Sequence, residues 1–388
     1  MKFKTIKILD TQEPSYDYSP HGFVAVGDVH LYNSYPYGSR TELISERLQD
    51  IKRYLWNAAT AASLCEYPLI INGDLIHTGI IDHSVGDILY QFFKKFKEVT
   101  IFVNLGNHDL DGEVSVLKPF VRHGHNENHI VFSKPDGVTL SHGKTHFSFI
   151  PSCNKVVALQ AIKEQARKTN RDYRNVLFIH ATFSGSFFSN AYVSRSGLSQ
   201  GNPYFKYFDL IVASDVHKYQ LICKGRGFYT SSLIPLSFGE KTIDHGFHIV
   251  DLDNAKHYFI VTASAPQFLE LEVSYVREMG DVIVQTVAEK NIICVANDQP
   301  NILFDKKQLR KKLLDLGASF VSFKNAPRRK EEDSQIRINQ KENVKSIVLS
   351  YSKFLAKKFE LSKSKVQSVG LRILTKAEME MGVAHQRR

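Results

Sequence analysis

Five short apolar runs in the first two thirds of the chain each break off at side chains that bind cations. In order they are "VAVGDVH" with Asp28 and His30, "IINGDLIH" with Asp74, "FVNLGNHD" with Asn107 and His108, "LFIH" with His180, and "IVASDVH" with Asp215 and His217. Short apolar runs bounded by glycine and polar residues read as buried strands. Open α/β sheets hold their ligands in the crevice beyond the carboxyl ends of the strands. A chain that repeats this ending strand after strand is therefore constrained to an α/β fold with those ends gathered in one place.

The rest of the chain fits that frame. From residue 22 to 262, β-rich runs such as "FVAV", "PLIIN", "VTIFVNL", "HFSFI", "NVLFI" and "DLIVA" alternate with helical or loop stretches. Between the first two lies "RTELISERLQDIKRYLWNAATAASL", with Leu43, Ile44, Leu48, Ile51, Leu55 and Trp56 at helical spacing, which predicts a strand, helix, strand crossover. From Gln267, "FLELEVSYV" predicts a strand, "DVIVQTVAEKN" a helix, "IICVAN" a strand, "KKQLRKKLLDLG" a helix stopped by Gly317, and "SFVSFK" a strand. The chain thus reads as an N-terminal extension (1–21), a large α/β domain (22–265), a small α/β domain (266–325), a polar linker (326–345) and a basic segment (346–388). That last segment opens on an amphipathic helix at 346–359.

Charge is unevenly placed. Residues 326–388 hold 15 Lys and Arg against 7 Asp and Glu, so +8 of the net +10 lies in the tail and predicts a polyanionic or acidic partner. No run approaches the roughly 18 to 20 apolar residues that span a bilayer, and the N-terminus has no apolar core of signal-peptide type. The chain reads as cytoplasmic with no membrane partner. Cys65, Cys153, Cys223 and Cys294 lack paired spacing, which argues against a zinc knuckle or a disulfide framework and predicts reduced, buried thiols.

The ligand-rich loops call for a pair of cations. In an extended chain residues i and i+2 point to one side, so Asp28 with His30, and Asp215 with His217, can converge. Gly27, Gly73 and Gly106 let the backbone turn as each strand ends. Two divalent ions about 3.5 to 4 Å apart can activate a nucleophile and stabilise a phosphoryl group in its transition state. Mixed oxygen and imidazole ligands suit Mn²⁺, Fe or Zn²⁺ better than Ca²⁺.

These motifs resemble the calcineurin-like metallophosphoesterases, whose signature is D-x-H, GD, GNHD, a lone H and G-H-x-H, over residues 22 to 262. "GDLIHTG" and "GFYTSSLIPLSFGEKTIDHGFHIVDLD" are similar to the SbcD nuclease family in particular. The resemblance implies an αββα sandwich with a small capping domain that contacts DNA and a C-terminal helical segment that docks on a partner. It implies two divalent ions. One would be held by Asp28, His30, Asp74 and His217, the other by Asp74, Asn107, His180 and Asp215, with Asp74 as the bridge. His108 would be the catalytic histidine and Asp109 would orient its ring. It further implies a homodimer that acts on DNA with a coiled-coil ATPase of SbcC type.

The sequence also departs from the family. "SDVH" stands where G-H-x-H is expected, so Ser214 replaces a glycine and Asp215 a histidine, which hardens the ligand set toward Mn²⁺ or Mg²⁺. Ser231 and Ser232 stand in place of a Gly-Ser pair, and "YNSYPYGSR" lacks the further histidine of some relatives. "RHGHNENH", with His123, His125 and His129, has no matching carboxylate. Two other functions stay open: a general metallophosphoesterase acting on nucleotides or phosphoproteins, and a weakened scaffold that binds DNA ends.

Overall fold

A computed structural model describes residues 4–9, 21–298 and 304–324, apart from 38–39, 42–43, 113, 118, 121–127, 141–143, 189–191 and 242. The linker at 326–345, the segment at 346–388 and His123 and His125 lie outside the described residues. Contacts divide the chain into Met1–Phe323 and Lys324–Arg388.

Two sheets face each other. The first contains β1 (Lys4–Leu9), β2 (Gly22–Val26), β3 (Leu69–Asn72), β4 (Ile101–Asn104), β5 (His129–Phe132), β12 (Gly246–Asp251) and β13 (Lys256–Val261), in the order β1-β13-β12-β2-β3-β4-β5. The second contains β6 (Asp136–Leu140), β7 (Thr145–Ile150), β8 (Arg174–His180), β9 (Leu210–Ser214), β10 (Leu221–Ile222) and β11 (Gly227–Tyr229), in the order β6-β7-β8-β9-β11-β10. β2, β3, β4 and β5 pair in parallel, as do β7, β8, β9 and β11, so their carboxyl ends share an edge within each sheet.

Alternation along each strand sorts side chains into three apolar layers. Phe23, Ala25, Ile70 and Phe102 of the first sheet meet Phe147, Phe149, Val176, Phe178 and Val212 of the second. The outer face of the first sheet, through Val24, Val26, Leu69 and Ile71, packs on α1 (Glu46–Cys65) and α2 (His83–Lys95). The outer face of the second, through Leu177, Ile179 and Ile211, packs on α3 (Lys155–Lys168). The result is the αββα sandwich. Ser45 caps α1 by accepting from Leu48 N, so the helix starts at Glu46 and Ile44 stays outside it, in a two-residue strand.

Two asparagines fasten the sheets together beneath the loops. Asn72, the last residue of β3, donates to Ile179 O (3.4 Å) and Val212 O (3.1 Å) of the second sheet. Asn104, the last of β4, donates to Ile150 O (3.2 Å) and to Asn72 Oδ1 (2.9 Å). Both are fully buried.

The small domain holds β14 (Phe268–Glu272), β15 (Ile292–Ala296) and β16 (Phe320–Lys324) in one sheet, with α4 (Val273–Glu278), α5 (Asp281–Ala288) and α6 (Lys306–Asp315). Its core is Val273, Val276, Val284, Ile293, Val295, Leu309 and Leu313. The strand expected across "FLELEVSYV" stops at Glu272, because Val273 and Val276 bury one helical face and the chain coils as α4. The N-terminal extension is not all separate from the large domain: β1 adds to the edge of the first sheet, parallel to β13. No helix among the described residues is long and apolar enough to cross a membrane. None of the four cysteines is in a disulfide; Cys223 and Cys294 are buried and Cys65 half-buried, whereas Cys153 is exposed, against the expectation of buried thiols.

Candidate metal centre

The loops after β2 and β3 run side by side past the end of the sheet. Asp28 N donates to Gly73 O (3.1 Å), His30 N to Asp74 O (2.9 Å) and Leu31 N to Leu75 O (2.9 Å). The convergence of Asp28 and His30 does not come from extended alternation. Their φ angles are 48° and 52°, and those of Asp74 and Asp215 are 51° and 92°, all in the left-handed region. Such backbone is unfavourable for residues with a Cβ and collects at functional sites, where the surroundings hold it.

Two glycines act through close approach. A Cβ on Gly106 would strike the Asp74 carboxylate, and one on Gly73, whose φ is +89°, would strike the His180 ring. Gly73 therefore serves the turn as expected, whereas Gly106, with no positive φ, makes room for a ligand.

Three imidazoles share one design. His180 Nδ1 lies 2.9 Å from Ser214 Oγ, and that hydroxyl donates to Asn72 O, so the ring must supply the proton between them. His217 Nδ1 lies 3.0 Å from Glu240 Oε1. His30 Nδ1 lies 3.2 Å from His77 Nδ1. With each Nδ1 tied back, the three Nε2 atoms turn inward. His30 Nε2 and His217 Nε2 come within 3.2 Å of each other. His180 Nε2 meets Asn107 Oδ1 at 3.1 Å, Asp74 Oδ2 at 3.5 Å and Asp215 Oδ1 at 3.8 Å. Metal-binding histidines are held in this way, with the outer ring nitrogen donating to a neighbour.

Among the described residues three groups of side chains are close enough to hold an ion, and two of them share a carboxylate: Asp28, His30 and His217, and Asp28, Asp74 and His180. Asp28 belongs to both. Asp74 Oδ2 also stands between the histidines, 3.8 Å from His30 Nε2 and 3.5 Å from His180 Nε2. Asp28, His30, Asp74 and His180 are buried, whereas Asn107 is exposed and His108, Asp215 and His217 are partly exposed, so the cluster opens to one side. A cavity of about 280 Å³ adjoins it there, lined by Ser152, Lys155, Thr182 and Ser196 with His180 and Asp215.

Asp215 and His217 separate. Asp215 faces His180, takes a hydrogen bond from Thr182 Oγ1, and caps Asp28 with its backbone N–H at 3.1 and 3.2 Å from the two carboxylate oxygens. It stands outside the two tight groups. His217 faces His30.

The expectation that Asp109 orients His108 needs correction. Both Asp109 oxygens accept backbone N–H groups, from Ile76 (3.0 Å) and Gly106 (2.9 Å), so the buried carboxylate braces the two loops. His108 Nδ1 instead meets His77 O at 2.5 Å, and its backbone N donates to Asp74 Oδ1 at 2.9 Å. A carbonyl only accepts, so His108 carries its proton on Nδ1 and leaves Nε2 open. The His77 ring stacks on it at 5.5 Å and forms a further group with His30 and His108.

The charge balance asks for cations. Burial raises the Asp28 carboxyl to about 7. Burial works against charging His180, yet the Asp74 carboxylate outweighs it and lifts the ring to about 10. Burial likewise opposes His217, and Glu240 lifts it to about 9. Carboxylates that favour charged imidazoles in this way favour divalent ions in the same place.

His77, Ser214, Glu240 and Asn72 are the residues that sequence reasoning missed as parts of the site. His77, three positions after Asp74 in "GDLIHTG", Ser214 in "SDVH" and Glu240 in "IPLSFGE" each lie in a stretch that was read, whereas Asn72 had no signal beyond its place at a strand end. Of the histidines in "RHGHNENH", His129 is buried in β5, with Nε2 3.2 Å from Phe96 O, away from the cluster.

Residues 22–224 match the profile of the calcineurin-like phosphoesterases. The chain belongs to that family. This calcineurin-like phosphoesterase also has distant structural likenesses. One is a dimetal phosphatase from Danio rerio, at 10% identity and a TM-score of 0.38, covering 60% of this chain and 92% of that one. Another is a 5'-nucleotidase precursor from Thermus thermophilus, at 12% identity and a TM-score of 0.33, covering 63% and 55%. No curated protein matches the phosphoesterase. Membership makes it a metal-dependent phosphoester hydrolase, and its Asp/His cluster is a potential dimetal site.

Proposed function

We propose that the chain is a DNA nuclease of the SbcD type, an exonuclease on duplex ends and an endonuclease on single strands. In this reading it works as a homodimer with a coiled-coil ATPase of SbcC type in the processing of double-strand breaks. The observation that carries the hydrolytic part is the set of three imidazoles with Nδ1 tied back and Nε2 turned toward Asp28 and Asp74.

Two divalent ions, Mn²⁺ before Mg²⁺, supply Lewis acidity and lower the pKa of water there when bound. Asp28, His30 and His217 would hold one, and Asp74 and His180, with Asn107 and Asp215 beside them, the other. Asp28 belongs to both groups, and Asp74 stands between His30 and His180. His108, with its Nδ1 proton given to His77 O, keeps Nε2 open toward a substrate oxygen, and with a second proton on Nε2 it would hand that proton to the departing oxygen. Asp109 keeps that loop in place through the backbone of Ile76 and Gly106.

Charge supports a polymeric anion as substrate. Helix α6 carries Lys306, Lys307, Arg310, Lys311 and Lys312 against Asp315, and the basic tail adds to it. The test is release of nucleotides from end-labelled duplex and single-stranded DNA by the full chain with Mn²⁺. Cleavage abolished by chelation is the expected result. Hydrolysis of small phosphoesters without DNA cleavage would replace this reading with a general phosphoesterase, and inactivity on both with a scaffold. Truncation at residue 325 should end co-purification with the ATPase; retained binding would remove the docking role of the tail.

A further inference from the structure

Glu240 ends the turn Phe238–Glu240 in "IPLSFGE" and is buried. Besides His217 Nδ1, its carboxylate accepts from Leu236 N (2.9 Å) and Ser237 Oγ (3.4 Å). The turn thus holds its own acid rigidly against one ring of the cluster.

The residues flanking Glu240 reach the small domain. The Phe238 ring meets Phe268 of β14 edge-on at 4.9 Å, and Lys241 forms an ion pair with Glu270 of the same strand. The loop that follows His30 reaches the same surface, where Tyr37 packs on Phe268 (4.9 Å), Phe320 of β16 (5.4 Å) and Phe238 (6.3 Å). Arg47, buried at the start of α1, lies 5.4 Å from the Phe268 ring and donates to Pro266 O at 3.5 Å. His180 is held differently, by Ser214 and Asn72 at the ends of β9 and β3. The cluster is therefore asymmetric: one half is braced by the sandwich, the other by a turn clamped to the small domain.

We infer that Glu240 is a positioning residue for His217, and that through residues 236–241 the small domain sets the affinity of the metal site made by Asp28, His30 and His217. The inference rests on the metal reading of the cluster. A buried carboxylate behind a ligating histidine fixes the ring and raises its basicity, and losing such a partner typically costs roughly 10- to 100-fold in metal affinity. A shift of β14 would act on the same ring through Phe238 and Lys241.

The experiment is calorimetric titration of Mn²⁺ into the metal-free full chain, with the melting temperature of each metal-free variant as a check on folding. The wild type should bind two ions. Glu240→Ala should weaken one site roughly 10- to 100-fold and leave the other, with Glu240→Gln, which keeps an acceptor, in between. Lys241→Ala, at a half-exposed position that does not endanger folding, and Phe238→Leu should weaken the same site by a smaller factor. A wild type that binds no ion would overturn the metal reading itself. Two wild-type ions with unchanged binding in Glu240→Ala, or equal weakening of both sites, would overturn the positioning role. Unchanged binding in both Lys241→Ala and Phe238→Leu would overturn the link to the small domain.

Discussion

Filling the cluster should drive protons out of the protein. In the metal-free chain His180 titrates at about 10 and His217 at about 9, each charged because carboxylates outweigh the burial that opposes it. At pH 8 both rings therefore hold a proton on Nε2, the atom that must face a cation, since Nδ1 is committed to Ser214 or Glu240. One ring belongs to each group, so each ion should release about one proton. At pH 7 displacing the His180 proton works against about three pKa units, or about 4 kcal/mol. Asp28, raised to about 7 by burial, adds a fraction of a proton at that pH. Affinity should accordingly rise about tenfold per pH unit for each ion and level off above pH 9 to 10, where the rings are already neutral. Titration of Mn²⁺ at pH 8 in two buffers of different ionisation enthalpy counts the protons, and about two are expected for two ions. Release of none, with affinity flat between pH 6.5 and 8.5, would show that His180 and His217 do not exchange protons for metal.

The same charges predict how the metal-free fold responds to pH. His180 and His217 are raised above their unfolded value, so the stability they contribute is complete below pH 6.5 and is lost as pH rises through 9 to 10. The metal-free chain should melt at a lower temperature at pH 9.5 than at pH 6.5, and Mn²⁺ should reverse the trend; a higher melting temperature at pH 9.5 would contradict this. His108→Ala should lower turnover about 10² to 10⁴-fold while metal content by mass spectrometry stays near wild type. Metal loss in that variant would make His108 a ligand. Asn72→Ala removes hydrogen bonds to Ile179, Val212 and Asn104 from a buried site and should cost about 2 to 4 kcal/mol in urea unfolding. A cost below about 1 kcal/mol would mean that the two sheets are fastened elsewhere.

The sequence made the sandwich legible because its strands are buried on both faces and read as unbroken apolar runs that end on ligand-type residues. Strand β1 was hidden: "KTIKIL" is short and half polar, and its partner β13 lies some 250 residues away. At "FLELEVSYV" period-two alternation and helical spacing overlap, and the packing of Val273 and Val276 decided for the helix. Ligands were readable one loop at a time, but their supports were not. Ser214 and Glu240 lie in stretches that were read, "SDVH" and "IPLSFGE", but they and Asn72 act through contacts 23 to 142 residues distant, which no local pattern reveals. Asp109 misled for the opposite reason, since adjacency to His108 in the chain suggested a partnership that the loop geometry gives to His77.

Asn72 and Asn104 give the cluster an electrically inert floor. An amide neither gains nor loses a proton at any pH at which the chain stays folded, so the struts beneath the crevice keep their pairing while acids and imidazoles above them trade protons for metal. Shape is stored in groups that cannot titrate and reactivity in groups that can, and the centre can be emptied and refilled without rebuilding the walls.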